Sequence, residues 1–380
     1  MIPNATQQRA EVMLKLYAEA EEALLGILAR NLKNADAGDP AAWAQRKLAQ
    51  VQKVQAEVER ALGALEERSL EERVKLIWAA HDEGADGLWR ELGLEGEPSG
   101  RAQAVTALID DIDGRFSELH RRILRDATDA YREVLAHVLA MPVLGVETTQ
   151  QAISRALNQF ADRGITAFVD RAGRRWGMAE YAEMAVRTGM MNAALAGYTQ
   201  EALAHDEDLV IISDHADECP LCAPWERKVL SLTGAQLYHP DCDGALGDAR
   251  AAGLFHPNCL HAMTVYVPGL TVKSGSKPGR TAETDAAGYK ARQDQRYMER
   301  TVRKWKRRQA AATTPQDERI AKAYVSAWQS KLRNLVAENA KLPRKYNREG
   351  GRVLLSDAAK KLKPFRLDAV DGTSEGGGDD

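Results

Sequence analysis

Long apolar runs are missing from this sequence. Of its 380 residues 44% are hydrophobic, yet none of the runs approaches the roughly 18 consecutive apolar residues that indicate a membrane-spanning helix. The N-terminal region mixes Asn4, Arg9 and Lys15 with its leucines, unlike a secretory signal peptide. We therefore expect no membrane partner and a protein that is made and kept in the cytoplasm.

The sequence also lacks a marked excess of either charge. It has 52 basic and 55 acidic residues, and its net charge is −3. A charged fraction of 28% is typical of an ordinary soluble protein, and the length predicts two or three domains.

Cysteine is scarce and confined to one region. All four cysteines lie between positions 219 and 259, and five of the eight histidines lie in or beside this window. In a reducing compartment such a cluster favours a metal site over disulfides. We therefore expect the chemistry of the chain to lie in this window.

Helical periodicity dominates the rest of the sequence. Apolar residues recur at helical spacing over residues 7–140 and again after Thr148, and Thr314 followed by Pro315 marks the start of a later helix. Three short β-type runs, at 208–213, 227–232 and 262–267, surround the cysteines. We predict a mainly α fold with a small α+β central module, in which short strands surround a Cys/His cluster.

Glycine and proline positions divide the chain into predicted segments. These are an N-terminal helical domain (1–145), a helical segment leading into the module (146–207), the Cys/His module (208–270), a linker (271–289), a basic helical region (290–349) and a C-terminal tail (350–380) whose last ten residues we expect to be disordered.

The Cys/His window has the spacing of a metal site. Cys219 and Cys222 form a C-x-x-C turn, and His256 and Cys259 form a second pair directly before the third strand run. Three thiolates and an imidazole suit a structural Zn²⁺ ion. His261 is the alternative imidazole ligand or a group that supports the ligands.

Other interpretations of this window stay open. His239 and Cys242 repeat the His-Pro-x-Cys pattern and offer a second ligand pair. The cysteines also fit a small apolar core without metal. A redox dithiol lacks the expected βαβ surroundings, and a catalytic Cys/His pair lacks a recognisable orienting group.

The balanced net charge conceals a basic region. Residues 290–349 hold 17 Lys/Arg and 6 Asp/Glu. One stretch concentrates the cations on a predicted helix that could contact DNA phosphates without reading sequence. The helix could instead be a solvated face, pair with the acidic first part of the chain, or contact an acidic surface of the portal. The candidate DNA contacts are Arg300, Arg303, Lys304, Arg307 and Arg308.

An ordered series of motifs resembles the phage minor capsid protein 2 family. The series runs through "WGMAEYAEMAVRTGM", "SDHADECPLCAPWERKVLSLTG", "GLFHPNCLHAMTVYVPG" and "YKARQDQRYMERTVRKWKRR", within residues 148–340. The matching positions are Tyr181, Arg187, Thr188, Cys219, Cys222, Pro224, Trp225, His256, Pro257, Asn258, Cys259, His261, Tyr266, Pro268 and Gly269. The chain departs from the family at Leu260, where arginine is usual, and at Glu226-Arg227, where a glycine normally precedes the lysine.

This resemblance implies a structural, low-copy virion protein of a tailed phage and not an enzyme. It implies assembly in the host cytoplasm, association with the portal protein and other head proteins in the capsid interior or at the portal vertex, and no small-molecule substrate. Packaged double-stranded DNA is a further partner suggested by the basic region. The first 140 residues lie outside the matching motifs; faces such as Leu16, Leu24 and Leu28 either contact head proteins or pack within the chain.

Two alternatives belong to other functional classes. The first is a metal-dependent, nuclease-like enzyme in which His256, His261 and Asp214 would hold the metal or act as the base. The second is a DNA-binding adaptor free in the cytoplasm.

Overall fold

The computed structural model describes most of the chain. The described residues are 3–32, 39–95, 101–140, 148–169, 173, 175–214, 220–256, 259, 261–272, 282–340 and 342–350. Cys219, the candidate boundary near Met141 and Gly145, and the predicted tail beyond Gly350 lie outside these residues.

The fold is mainly α, as predicted, with a small mixed module. The helices are α1 (Pro3–Leu32), α2 (Pro40–Leu48), α3 (Val51–Leu92), α4 (Arg101–Ala140), α5 (Thr149–Arg163), α6 (Met178–Ala204), α7 (Leu246–Ala251), α8 (Ala282–Ala310) and α9 (Pro315–Glu338). The strands are β1 (Thr166–Val169), β2 (Arg175–Gly177), β3 (Leu209–Ile212), β4 (Val229–Ser231), β5 (Gly244–Ala245) and β6 (Met263–Val265).

Local sequence signals determine where several helices begin. Helix α5 starts with a capping box, in which the Thr148 hydroxyl accepts from the Gln151 N–H and the Gln151 side chain accepts from the Thr148 N–H. Helix α9 starts at Thr314 and Pro315, as predicted, and the Thr314 hydroxyl accepts from the Asp317 N–H.

One hydrophobic core joins the helices α1 to α6. Leu24, Ile77, Phe116, Phe160 and Val186 each come from a different helix and are almost completely buried in it. This shared core extends across the boundary predicted at residue 145, so the first two predicted segments pack together. Leu24 and Leu28 are fully buried and Leu16 packs against the same core, which shows that these faces serve packing within the chain.

Helices α3 and α6 approach each other closely at two glycines. A Cβ atom on Gly84 would overlap the carbonyl oxygen of Ala194, and a Cβ on Gly197 would overlap the carbonyl oxygen of His81. Only glycine at these two positions allows the backbones this approach. The close crossing of α3 and α6 therefore depends on the absence of a side chain at Gly84 and at Gly197.

The module is a four-stranded sheet with strand order β5-β4-β3-β6. Strand β3 pairs antiparallel with both β4 and β6, with Val210 opposite Leu230 and Val265, whereas β4 and β5 are parallel. The three strand runs predicted around the cysteines thus form strands. The sheet attaches to the helices where the Val265 N–H donates to the Tyr198 hydroxyl (2.7 Å) and to the Glu91 carboxylate (2.9 Å).

The predicted linker is shorter than expected. Helix α8 begins at Ala282, inside the segment 271–289 that the glycine, serine and lysine content assigned to a linker. From there α8 runs through the basic region and packs against α9. A short 3₁₀ turn, Tyr346–Glu349, then contacts α1 and α8.

Candidate metal centre

Three metal-ligating side chains converge at one end of the sheet. The C-terminal end of β3 adjoins the N-terminal ends of β4 and β6, since Ile212 pairs with Met263 and Ile211 with Val229. Cys222 lies in the loop before β4, and Cys259 and His261 lie directly before β6. Antiparallel pairing therefore brings residues 37 positions apart into contact.

The ligand atoms of this cluster have metal-site spacing. Cys222 Sγ lies 3.5 Å from Cys259 Sγ, and Cys259 Sγ lies 3.4 Å from His261 Nδ1. The three ligand atoms are all within 4.8 Å of one another. A tetrahedral Zn²⁺ ion with bonds of about 2.3 Å to sulfur and about 2.0 Å to nitrogen separates its ligand atoms by roughly 3.5 to 3.8 Å. The Cys/His cluster can therefore hold a metal ion.

A carboxylate orients the imidazole of this cluster. His261 Nε2 lies 2.8 Å from Glu226 Oε1, and the exposed fractions of the two side chains are 2% and 7%. An ionised carboxylate only accepts hydrogen bonds, so Nε2 carries the proton and donates. Nδ1 then faces Cys259, as in metal sites where a carboxylate supports a ligating histidine.

The electrostatics of the cluster favour its charged form. The hydrogen bond from the Cys222 thiol, assisted by His261, lowers the pKa of Cys259 to about 4. Burial disfavours the charged imidazole, but the hydrogen bonds to Cys259 and Glu226 outweigh it and raise the pKa of His261 to about 9. The proton between Nδ1 and the Cys259 thiolate occupies the place that a metal ion would take, so metal binding would release it.

The other predicted ligands have different positions. His256 is partly buried, and its carbonyl accepts from the Cys259 N–H (2.9 Å), but among the described residues the close group contains His261 and not His256. Cys242 packs with Leu209 and Val229 in a separate cluster, whereas Cys222 and Cys259 pack with Val210. The second His-Pro-x-Cys pair therefore does not join this group.

Comparison with known proteins places the chain in a family. The model of the family described as phage minor capsid protein 2 matches residues 1–337. The chain belongs to the phage minor capsid protein 2 family. The match includes the N-terminal helices that the motifs quoted from the sequence left out. The resemblance stated from those motifs is thus confirmed.

Two curated relatives of this minor capsid family member come from phages. A structural protein of Lactococcus phage LL-H is 29% identical over 231 residues, which cover 59% of this chain. The chain spans about 62% of the length of that relative. A structural protein of Lactococcus phage mv4 is 39% identical over 111 residues, or 27% of this chain and 85% of the relative. No solved structure matches the chain.

The basic helix of this family member is largely occupied by ion pairs. Arg303 and Arg307 on α8 are buried and pair with Glu180 (2.6 Å) and Glu21 (3.2 Å), and Lys304 and Arg308 both pair with Asp162 on α5. Arg303 and Arg307 are thus buried in ion pairs within the chain, and DNA contact by the predicted set stays a prediction. Arg300 is the exposed member of the predicted set.

Sequence reasoning missed two features of this region. Glu226 lies 35 positions from His261, and only its departure from the family pattern drew attention to it. The acidic partners of α8 lie on α1, α5 and α6, and no local pattern identifies them. Among the described helices none is long and apolar enough to cross a membrane.

Proposed function

We propose that this protein is a low-copy structural component of the phage head. Membership of the phage minor capsid protein 2 family over residues 1–337 carries this proposal. The names of the two phage relatives, both structural proteins, support it. The chain would act in the virion by contacting other head proteins, and we place it at the portal vertex or on the inner side of the capsid.

We further propose that the Cys/His cluster holds a structural Zn²⁺ ion. Cys222, Cys259 and His261 would bind the metal, and Cys219, three residues before Cys222, is the candidate fourth ligand. Two or three thiolates with one imidazole are a donor set that Zn²⁺ prefers. When bound, the ion would link the loop before β4 to the loop before β6 and so stabilise a sheet of very short strands.

Burial of the cluster favours this structural role over catalysis. Cys222, Cys259 and His261 are each less than 5% exposed, whereas a catalytic zinc keeps a position open to water or substrate. In the nuclease-like alternative His256, His261 and Asp214 would hold the metal or act as the base, and among the described residues only His261 of these three belongs to the close group.

Quantitative mass spectrometry of purified particles tests the proposed function. Full particles and DNA-free proheads of the phage that encodes the chain are compared, with the portal protein as the internal standard. We expect a few to a few dozen copies in both, and cross-links to the portal protein. Absence from both particle types would overturn the proposal.

A further inference from the structure

Helix α9 leaves one entire side to solvent. It packs on α8, where Trp305 stacks on Tyr324 with ring centroids 3.9 Å apart and Tyr297 meets Trp328 edge to face at 5.9 Å. Of its 24 residues, only Ala321 and Leu332 are buried. The side of α9 opposite these two residues therefore lacks an intramolecular partner among the described elements.

We define the outer face of α9 as the residues opposite Ala321 and Leu332, at 100° per residue. These residues are Gln316, Arg319, Ile320, Lys322, Ala323, Ser326, Ala327, Ser330, Arg333, Asn334, Ala337 and Glu338. All are exposed except Ser330, which is partly buried. By the same rotation Glu318 lies about 130° and Glu338 about 70° from the centre of the face, so the outer face carries the three cations Arg319, Lys322 and Arg333 and one acid, Glu338, at its C-terminal end.

The cations of this outer face differ from those of α8. Arg303, Arg307 and Arg308 on α8 form ion pairs with carboxylates of the helical body. Arg319, Lys322 and Arg333 have no carboxylate within ion-pair distance in the described part of the chain; Arg319 donates only to the Gln316 side chain (3.4 Å). Their charge therefore remains available to an external anion.

We propose that the outer face of α9 binds the phosphate backbone of double-stranded DNA without reading its sequence. Arginine, lysine, serine, asparagine and glutamine are the side chains that contact phosphates in such complexes. Alanine and serine at the centre of the face let the helix approach the backbone closely. From Arg319 to Arg333 the face extends about 21 Å, enough to contact phosphates on both sides of the roughly 12 Å major groove.

The composition of the outer face favours DNA over a protein partner. Protein interfaces are anchored by large aromatic or aliphatic side chains; among the described residues of the outer face Ile320, 43% exposed, is the one such side chain, and the aromatic pairs Trp305–Tyr324 and Tyr297–Trp328 lie between α8 and α9. Interfaces with nucleic acid are polar and strongly positive, like this face. A position inside the head, as proposed above, would supply the DNA, but the binding itself can be tested on the purified chain.

Fluorescence anisotropy of the full chain with a short duplex of arbitrary sequence tests the proposal. The variant R319Q/K322Q/R333Q removes the three cations, and K53Q/R60Q/R68Q, three exposed cations on α3, is the control with the same change in net charge. We expect salt-dependent binding that weakens at least tenfold in the α9 variant only. The slope of log affinity against log salt should fall by up to about 3, since each lost phosphate contact contributes about 0.9.

Other outcomes would overturn the proposal. These are absence of binding by the unmodified chain, binding insensitive to salt, and equal weakening in both variants, which would indicate a general charge effect. Circular dichroism checks that each variant is folded. The variant R319K/R333K keeps the charges and should keep the binding, which separates loss of charge from loss of helix structure. Failure of DNA binding would leave the particle measurement, and hence the proposed function, unaffected.

Discussion

His261 Nε2 lies 2.8 Å from Glu226 Oε1, and both side chains are buried. This contact makes Nδ1 the atom that faces the two thiols, because Nε2 is occupied by the carboxylate. It therefore selects which atom of His261 is available to a metal.

Replacement of Glu226 should weaken metal binding without removing a ligand. We expect Glu226→Ala to lower Zn²⁺ affinity by about 10- to 100-fold, the usual cost of losing a group that supports a ligating histidine. Competition with a chromogenic chelator measures the affinity. Glu318→Ala, on the exposed side of α9, is the control and should leave it unchanged. Equal affinity of Glu226→Ala and the unmodified chain would show that this carboxylate does not position the ligand.

The buried ion pairs of α8 should make large contributions to folding. Arg307 Nη1 lies 3.2 Å from Glu21 Oε2, its Nε donates to the Ala161 carbonyl, and Glu21 also accepts from the Ile165 N–H. Burial raises the pKa of Glu21, and the Arg307 guanidinium acts in the opposite direction by favouring the ionised carboxylate. Arg307→Met should destabilise the fold by about 3 to 5 kcal/mol, since it leaves a buried charge unpaired.

Urea unfolding measures this effect. The double variant Glu21→Leu with Arg307→Met removes both charges, and we expect it to lose less stability than the sum of the two single variants. Lys322→Met, an exposed cation, is the control and should change stability by less than about 0.5 kcal/mol. Additive losses would contradict a direct pairing of Glu21 with Arg307.

These ion pairs also show what the sequence could not reveal. The charge count identified a basic helix, and pairing with the acidic first part of the chain was one of its interpretations. However, Glu180 and Glu21 lie 123 and 286 positions from their arginine partners. Which cations face inward depends on how α8 packs on α1, α5 and α6, and the spacing of charges along one helix does not contain that information.

The Cys/His cluster was predicted more completely, for a physical reason. Its cysteines flank strand runs that could be recognised, and antiparallel pairing of those strands brings the loops together. The sequence favoured His256 as the imidazole ligand, with His261 as the alternative, whereas the close group contains His261. Both histidines are within three residues of Cys259, and only the backbone path into β6 distinguishes them.

The close crossing of α3 and α6 gives a matched pair of glycine substitutions. Gly84→Ala should destabilise the protein by about 1 to 3 kcal/mol, because the new methyl group would overlap the Ala194 carbonyl oxygen. Gly87→Ala, one turn along the same helix, meets no atom within 4 Å and should stabilise it by about 0.5 to 1 kcal/mol. Thermal unfolding followed by circular dichroism compares the two. If both alanines were stabilising, the helices would not approach as closely as described.

The most direct test of a structural metal centre is the zinc content of the purified chain and its variants. Inductively coupled plasma mass spectrometry is applied after reduction, incubation with Zn²⁺ and removal of free metal. We predict one Zn²⁺ ion per chain in the unmodified protein, in Cys242→Ser and in His256→Ala, and a marked loss in Cys222→Ser, Cys259→Ser and His261→Ala. Full zinc content in Cys222→Ser, or none in the unmodified chain, would contradict the account.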